Sequence, residues 1–236
     1  MEKKDICMLL RENSYPGRGI IIGLTEDGKR SVMLYFIMGR SENSRNRVFR
    51  KTTDGIRTEA FDPAKLADPS LVIYNPVRFY GNSTVVTNGT QTDTIIEYLK
   101  SGREFHRALF EWEFEPDPPI FTPRISGMIN GDGSYMLSIL KSDNGDPECC
   151  CRYFYDYNSA IPGLGRFIST YKSDGNPPPS FVGEPIPVII DASYSLENMA
   201  NAVWDSLNHD NKVSLYARET IIETGTTADI ILNKLH

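Results

Sequence analysis

The chain has 236 residues, 40% of them hydrophobic, which is enough for a sizeable core in one large domain or two small ones. Its formal net charge of −6 argues against a nucleic-acid-binding protein, because such domains are usually basic. No apolar run approaches the roughly 18 residues that span a bilayer, and the N-terminus is too weakly apolar for a secretory signal. We therefore expect a soluble cytoplasmic protein that binds neither nucleic acid nor membrane.

The cysteine pattern favours reduced thiols. The four cysteines are Cys7 and the run Cys149-Cys150-Cys151. Such a run cannot form two well-shaped local disulfides, and no second cysteine-rich cluster completes a metal site, since a tetrahedral ion needs ligands spaced around it. We expect a strand at 148–157 with one or two buried thiols, and no metal.

The predicted elements, in chain order, are mostly strands paired in hairpins. Residues 1–16 form a lead-in whose Leu9 and Leu10 pack on the core, and apolar runs at 17–25 and 31–38 flank a turn. Further strands are expected at 71–74, 77–80, 84–87, 124–130, 134–141, 148–157, 185–191 and 213–222, with a strand or loop at 163–171 and a short terminal element at 228–235.

Two segments have helical spacing. The first begins at an N-cap formed by Thr92 or Asp93 and runs to about residue 111, with a break at Ser101-Gly102. The second has Ser195 as its N-cap and an apolar stripe over 196–207. Many hairpins with two helical segments predict the α+β class, with helices packed outside stacked sheets.

The densest basic stretch begins at residue 39, directly after a predicted strand, where binding loops often lie. It contains Arg40, Ser41, Arg45 and Arg47. Arginine suits bidentate recognition of phosphate or carboxylate, and the interleaved Ser and Asn add neutral donors. This favours an anion site over the alternative, a solvated charged loop.

A second unusual stretch combines carboxylates with prolines. Glu113, Glu115 and Asp117 alternate, so an extended backbone would point all three to one side. Four prolines between residues 116 and 123 then exclude a helix or a central strand, and Thr122 and Arg124 follow. The stretch indicates either a rigid carboxylate platform facing a polar substrate or an acidic, solvated turn.

Several of these segments resemble the archaeal-type inosine monophosphate (IMP) cyclohydrolase family. The matching residues are Tyr15-Pro-Gly-Arg18-Gly, Arg40-Ser41 with Asn46-Arg47, Tyr74-Asn75, the run from Val85 to Ile95 that includes Asn88-Gly89, Glu115 with Asp117, Thr122-Pro-Arg-Ile125, and Ile129-Asn-Gly131. They occur in the family's order over roughly residues 15–140. The match weakens after about residue 145.

The resemblance implies a single domain, 1–236, with a four-layer α/β/β/α sandwich that is Ntn-hydrolase-like and has a diverged C-terminal part. It also implies closure of 5-formamidoimidazole-4-carboxamide ribotide (FAICAR) to IMP with loss of water in purine biosynthesis. The partner would be a small-molecule purine mononucleotide, and no cofactor is needed. Whether the protein forms a homo-oligomer is left open.

The resemblance also suggests roles for individual residues. Arg47, with Arg40 or Arg45, would hold the phosphate or the carboxamide oxygen. Tyr74 would orient the formyl group or donate a proton to its oxygen. Glu115, helped by Glu113 and Asp117, would assist proton transfer and departure of water. The predicted substrate-binding residues are Arg18, Arg40, Ser41, Arg45, Asn75, Asn88, Gly89, Thr122 and Arg124.

Two alternatives remain from the sequence. One is a catalytically silent nucleotide-binding relative, which the diverged C-terminal third permits. The other is an amide hydrolase of the same fold with an N-terminal nucleophile, for which Cys7 would be the only early candidate.

Overall fold

A computed structural model describes residues 2–66, 69 and 71–236. The strands are β1 Arg18–Leu24, β2 Arg30–Met38, β3 Arg47–Thr52, β4 Gly55–Ala60, β5 Val77–Tyr80, β6 Ser83–Thr87, β7 Arg124–Ile129, β8 Tyr135–Asp143, β9 Asp146–Tyr157, β10 Leu164–Ser169, β11 Ile186–Ile189, β12 Lys212–Ile221 and β13 Thr227–Asn233. The α-helices are α1 Ile6–Glu12, α2 Glu42–Arg45, α3 Gln91–Lys100, α4 Phe105–Ala108 and α5 Leu196–Ser206. Two 3₁₀ turns lie at Pro63–Lys65 and Leu109–Glu111.

The strands form two antiparallel sheets. Sheet I has six strands in the order β11-β10-β1-β2-β12-β13, and sheet II has seven in the order β3-β4-β5-β6-β7-β8-β9. Strand β1 is central in sheet I, where Ile21 lies opposite Leu34 of β2 and Phe167 of β10. Both faces of β1 are buried, which explains its unbroken apolar run.

Three hydrophobic clusters fill the spaces between the layers of helices and sheets. Alternation along β1 sends Ile20 and Ile22 into the cluster between the two sheets. It sends Ile21 into the cluster beneath α1 and α5, on the outer face of sheet I. A third cluster joins α3 and α4 to the outer face of sheet II. The order of layers is therefore helix, sheet, sheet, helix, and the predicted α+β class with helices outside stacked sheets is confirmed.

The hairpins predicted at 17–38, 77–87 and 124–141 are all present. The strand predicted at 71–74 is wrong, because this segment consists of turns and bends. Tyr74 is instead held by Thr58, whose backbone N–H donates to the Tyr74 carbonyl at 2.9 Å and whose hydroxyl accepts from the Tyr74 N–H at 2.8 Å. These two hydrogen bonds take the place of a strand ladder there.

Helix boundaries also differ from the prediction. The lead-in contains α1, which Asp5 caps through its Oδ1, and Leu10 is buried as expected. Helix α3 begins at Gln91, earlier than predicted, but the break predicted at Ser101-Gly102 is confirmed, since α3 ends at Lys100 and α4 begins at Phe105. Ser195 caps α5 by accepting a hydrogen bond from the Asn198 N–H, as predicted.

The cysteine-rich strand is present as β9, but the prediction of buried thiols is wrong. Cys149 is exposed, and Cys150 and Cys151 are half-buried. The physical reason is that β9 is an edge strand of sheet II, so it has a neighbour on one side only. All four cysteines are free. Among the helices of the described residues, none is long and apolar enough to cross a membrane.

Candidate active site

Several strands begin or end at the same end of the sandwich, and three of them begin there with an arginine. Arg18 opens β1 and lies opposite Ile37 near the end of β2. Arg47 opens β3, and Arg124 opens β7 beside the end of β6. In antiparallel sheets, the start of one strand lies beside the end of its neighbour. Residues that are far apart in the sequence therefore meet at this end of the sandwich.

Arg47 is fully buried at this end of the sandwich, with 0% of its surface exposed. Its Nε donates to the Ser44 carbonyl at 2.7 Å. Among the described residues, its Nη1 and Nη2 have no hydrogen-bond partner. Burial lowers the pKa of Arg47 from its ordinary value. A buried guanidinium whose two terminal nitrogens donate no hydrogen bond within the described part of the chain is costly to a folded protein, and such a group is suited to an anionic or carbonyl ligand.

Two tyrosines lie beside this guanidinium. The hydroxyls of Tyr35 and Tyr74 are 3.0 Å apart, and both interact electrostatically with Arg47. Burial raises the pKa of Tyr35 well above its ordinary value. The Tyr35 hydroxyl therefore stays protonated at neutral pH. It can donate to Tyr74, which leaves the Tyr74 hydroxyl free to donate to a substrate oxygen.

Glu115 is the buried carboxyl of the same cluster, with 2% of its surface exposed. Burial raises its pKa above the ordinary value, while Arg18 and Arg124 act in the opposite direction. Its Oε1 lies 4.0 Å from Arg124 Nη1. A carboxyl with a raised pKa and flanking cations can take up a proton at a higher pH than an ordinary glutamate and can release it again, as proton transfer in catalysis requires.

A chain of hydroxyls connects Asp117 to the other half of the protein. The Thr122 hydroxyl contacts Asp117 Oδ2 at 2.5 Å and the Tyr171 hydroxyl at 2.8 Å. Burial raises the pKa of Tyr171 to about 12, and its ring stacks on that of Tyr15 at a centroid distance of 5.7 Å. This chain ties the segment around Glu115 to sheet I.

The turn between β6 and α3 holds Arg124 in place. Arg124 Nη1 donates to Gln91 Oε1 at 3.0 Å, and the guanidinium lies 4.8 Å from the Trp112 ring centre. A Cβ at Gly89 would lie 2.4 Å from Arg124 Nη1, so glycine is needed for this close approach. Asn88 bridges backbone groups, with Nδ2 donating to the Pro123 carbonyl at 2.8 Å and Oδ1 accepting from the Ile125 N–H at 2.9 Å.

Only part of the predicted arginine site lies in the buried cluster. Arg45 donates to the Gly39 carbonyl and to Asn211, and Ser41 caps α2, so both support the local fold. Arg40 pairs with Asp174 at 2.9 Å and lies over the Tyr15 ring at 4.5 Å. Arg47 alone of the three arginines enters the cluster, because it opens β3 on the inward-facing side.

The three alternating carboxylates do not face one side, which corrects that expectation. The Glu113 side chain is 63% exposed and lies 3.6 Å from Arg152. The segment is bent and carries no strand ladder, so the alternation of an extended chain does not apply. The Asn75 side chain is directed toward α3, where its Nδ2 donates to Asp93 at 3.3 Å.

Three further residues of the site, Tyr35, Gln91 and Tyr171, were not predicted from the sequence. Tyr35 lies in an apolar strand, and the one sequence feature that could have indicated it is its hydroxyl group among otherwise apolar side chains. Tyr171 lies after residue 145, in the part of the chain where the sequence resembles the family motifs only weakly. Only the pairing of β10 with β1 brings it beside Arg18.

Comparison with known families decides the relationship. The sequence model of the family described as "IMP cyclohydrolase-like protein" matches residues 15–225. The chain belongs to the IMP cyclohydrolase-like family. The match includes every residue of the buried cluster and extends well past residue 140, so the C-terminal part belongs to the same family unit.

Individual relatives agree with this family assignment. An IMP cyclohydrolase of Methanococcus aeolicus is 28% identical over 162 residues, which is 67% of this chain and 74% of the relative. One of Methanopyrus kandleri is 33% identical over 122 residues, 50% of this chain and 60% of the relative. One of Halobacterium salinarum is 31% identical over 133 residues, 55% of this chain and 64% of the relative. For the second and third relatives, the matched part is thus less than two thirds of their length.

Proposed function

We propose that the protein is an IMP cyclohydrolase, which closes FAICAR to IMP with loss of water. The observation that carries this proposal is Arg47, which has two buried nitrogens without a hydrogen-bond partner among the described residues and lies in the same cluster as Glu115 and Tyr74. A purine mononucleotide offers a phosphate, a carboxamide and a formyl oxygen, which suit guanidinium and hydroxyl donors. Membership of the IMP cyclohydrolase-like family and the names of the relatives support the same reaction.

The reaction needs two proton transfers and close positioning of two arms of one substrate. The carboxamide nitrogen attacks the formyl carbon, a C–N bond forms, and the formyl oxygen becomes the hydroxyl of a tetrahedral intermediate. That hydroxyl then leaves as water when the C–O bond breaks. One proton must leave the nitrogen in the first step. In the second, the former formamide nitrogen loses its proton as the departing oxygen gains one, so the new C=N bond forms to that nitrogen and the carboxamide nitrogen keeps its remaining hydrogen.

The buried cluster supplies groups for each step. Glu115 accepts the amide proton and returns a proton to the departing oxygen, which its raised pKa favours. Tyr74 donates a hydrogen bond to the formyl oxygen. Arg47 holds the carboxamide oxygen or the phosphate, while Arg18 and Arg124 stabilise the ionised form of Glu115. No metal ion is required for these steps.

The proposal also includes the fold class, the extent of the domain and the cellular location. We place the helix–sheet–sheet–helix arrangement in the Ntn-hydrolase-like class, as a single domain over 1–236, and the reaction in the cytoplasm. An amide hydrolase with an N-terminal nucleophile is disfavoured, because Cys7 lies within α1 and packs against the outer cluster of sheet I. That position is on the opposite side of sheet I from the inter-sheet residues Tyr35 and Ile20.

The deciding experiment compares two matched substitutions in a FAICAR cyclisation assay. Glu115→Gln keeps the shape of a buried side chain but removes its acid–base function, so we expect turnover to fall by about 10²- to 10⁴-fold. Glu113→Gln makes the same change two residues away on an exposed side chain, and we expect it to stay close to wild type.

Three outcomes are informative. Cyclisation by the wild-type protein and its loss in Glu115→Gln support the proposal. Near-native turnover of Glu115→Gln ends the role of that residue. Tight binding of the nucleotide by calorimetry, with no IMP formed by the wild-type protein, would favour the catalytically silent relative instead.

A further inference from the structure

The hairpin of β8 and β9 has an irregular end. Lys141 pairs with Cys151 and Ser142 pairs with Cys150, but the next partner of β8, Asp143, lies opposite Asp146. Residues 147–149 are therefore extra on β9 and bulge out of the ladder. Because of this bulge, Cys149 lies beside Asp143 without pairing with it.

Strand alternation adds a second thiol to the same side. Cys149 and Cys151 are two residues apart, so their side chains share a face, and Cys150 points to the other face. Cys150 contacts the outer cluster of sheet II with α3 and α4. The Sγ atoms of Cys149 and Cys151 and a carboxylate oxygen of Asp143 all lie within 4.8 Å of one another.

These separations are close to those of a tetrahedral zinc site. Two thiolates bound at about 2.3 Å with a tetrahedral angle lie about 3.8 Å apart. Side-chain rotation alone can close the remaining difference, since Cys149 and Asp143 are exposed and Cys151 is half-buried. The Lys141 ammonium donates to the Phe181 carbonyl at 2.8 Å and interacts electrostatically with Cys151 and Asp143, and Asn144 Nδ2 donates to Asp143 Oδ1 at 3.0 Å.

We propose that Asp143, Cys149 and Cys151 form a binding site for a divalent zinc ion, with water in the fourth position. Two thiolate ligands select zinc over magnesium or calcium, which prefer oxygen. The ion would fasten the bulged end of edge strand β9 to β8. This site is separate from the cyclisation cluster and does not rest on the proposed function.

The sequence alone argued against zinc because three consecutive cysteines cannot surround an ion. The structure removes that objection, because the alternation excludes Cys150 and the hairpin supplies Asp143 as the third ligand. The fourth position needs no protein ligand when the ion stays open to solvent.

The test is a zinc titration of the reduced, untagged full-length chain against a chromophoric chelator. We expect one zinc ion per chain. Cys149→Ser and Cys151→Ser should each weaken zinc binding by at least about tenfold, and Asp143→Asn should weaken it by less, because a neutral oxygen remains. Cys150→Ser is the matched control in the same strand, and its affinity should equal that of the wild type.

Two further readouts make the result decisive. Cobalt in place of zinc should give thiolate-to-metal absorption in the wild type and in Cys150→Ser, and this absorption should be lost in Cys149→Ser. Zinc should also raise the thermal unfolding midpoint of the wild type but not that of Cys151→Ser. Absence of stoichiometric binding, or an equal loss in Cys150→Ser, would overturn the proposal. So would a stable Cys149–Cys151 disulfide in the isolated protein, seen by mass as the loss of two hydrogens.

Discussion

At the scale of single residues, Arg47 shows most directly that this end of the sandwich is built for a ligand. Its guanidinium is buried, but two of its three nitrogens have no partner among the described residues. Such a group lowers the stability of the free protein and is retained where it binds something. Arg50, three residues further along β3, is exposed and lies 3.8 Å from Glu59.

Replacing Arg47 with Met should therefore separate stability from activity. We expect kcat/KM to fall by roughly 30- to 1000-fold, or about 2–4 kcal/mol, because buried charge-assisted hydrogen bonds to the substrate are lost. The free energy of unfolding without substrate should stay equal or rise by about 1–4 kcal/mol. Cyclisation kinetics and urea unfolding measure the two effects, and Arg50→Met is the control. A clear loss of stability in Arg47→Met would show that its role is structural.

Glu115 should determine the acidic limb of the pH profile. Burial raises its pKa above that of an ordinary glutamate, about 4.3, so the limb of kcat/KM should lie above that value. Below the limb, Glu115 is protonated and cannot accept the amide proton. The residual activity of Glu115→Gln should lack this limb. An unchanged limb in that variant would assign it to another group.

The same pKa shift predicts a sign for stability. The folded chain holds the Glu115 proton more tightly than the unfolded chain, so folding takes up a proton between the unfolded and the raised folded pKa. The free energy of unfolding attributed to this group therefore falls as pH rises through that window. Urea titrations at several pH values should show a less negative slope for Glu115→Gln than for the wild type in this interval.

At the scale of elements, the helices cover the sheets and leave the chemistry to strand ends and loops. Helix α5 packs Met199, Ala200 and Val203 on the outer face of sheet I, and Ser195 caps its first turn. The amphipathic stripe and the cap were both readable from local spacing. Helix α1 was missed because only seven residues carry it.

Ser195→Ala should lower stability without changing catalysis. The Ser195 hydroxyl accepts the Asn198 N–H at 3.2 Å, and loss of such a cap costs about 1 kcal/mol. Urea unfolding followed by circular dichroism should show this loss, and Ser195→Asp should restore most of it. The kcat/KM for cyclisation should stay at the wild-type value, because α5 lies on the face of sheet I away from the cluster. A drop in turnover would mean that α5 is coupled to the site.

At the scale of the whole molecule, the site is assembled from both halves of the chain. Thr122 and Glu115 come from the loop before β7, while Tyr171 follows β10 and reaches the site only because β10 pairs with β1. The family match over 15–225 spans both contributions.

A double-mutant cycle tests this link. Tyr171→Phe and Thr122→Val each remove one partner of the 2.8 Å contact, and each should lower kcat/KM. The loss of transition-state stabilisation in the double variant should be smaller than the sum of the losses in the two single variants. We expect a coupling free energy of about 0.5–3 kcal/mol, since the same contact is lost in all three variants. Tyr171→Phe combined with Ser195→Ala, a distant pair, should be additive. Additivity of the first pair would show that the hydroxyl chain does not act as a unit.

The sequence by itself determined the α+β class, most of the hairpins, the capped helix α5 and the family. These features depend on local periodicity, turn chemistry and short motifs, which act over a few neighbouring residues. It also picked out Arg47, Tyr74 and Glu115, because each lies in a motif that could be compared with a family.

Only the tertiary structure decided which predicted groups meet. Glu113 and Glu115 are equivalent in sequence spacing, but one is exposed and the other is buried beside Arg124. Arg45 donates to Asn211 on the surface, whereas Arg47 is buried in the cluster. Cys150 contacts the cluster beneath α3 and α4, whereas Cys149 and Cys151 lie beside Asp143. Burial and pairing depend on strand register and on contacts between residues far apart in the chain, and local sequence carries no direct record of either.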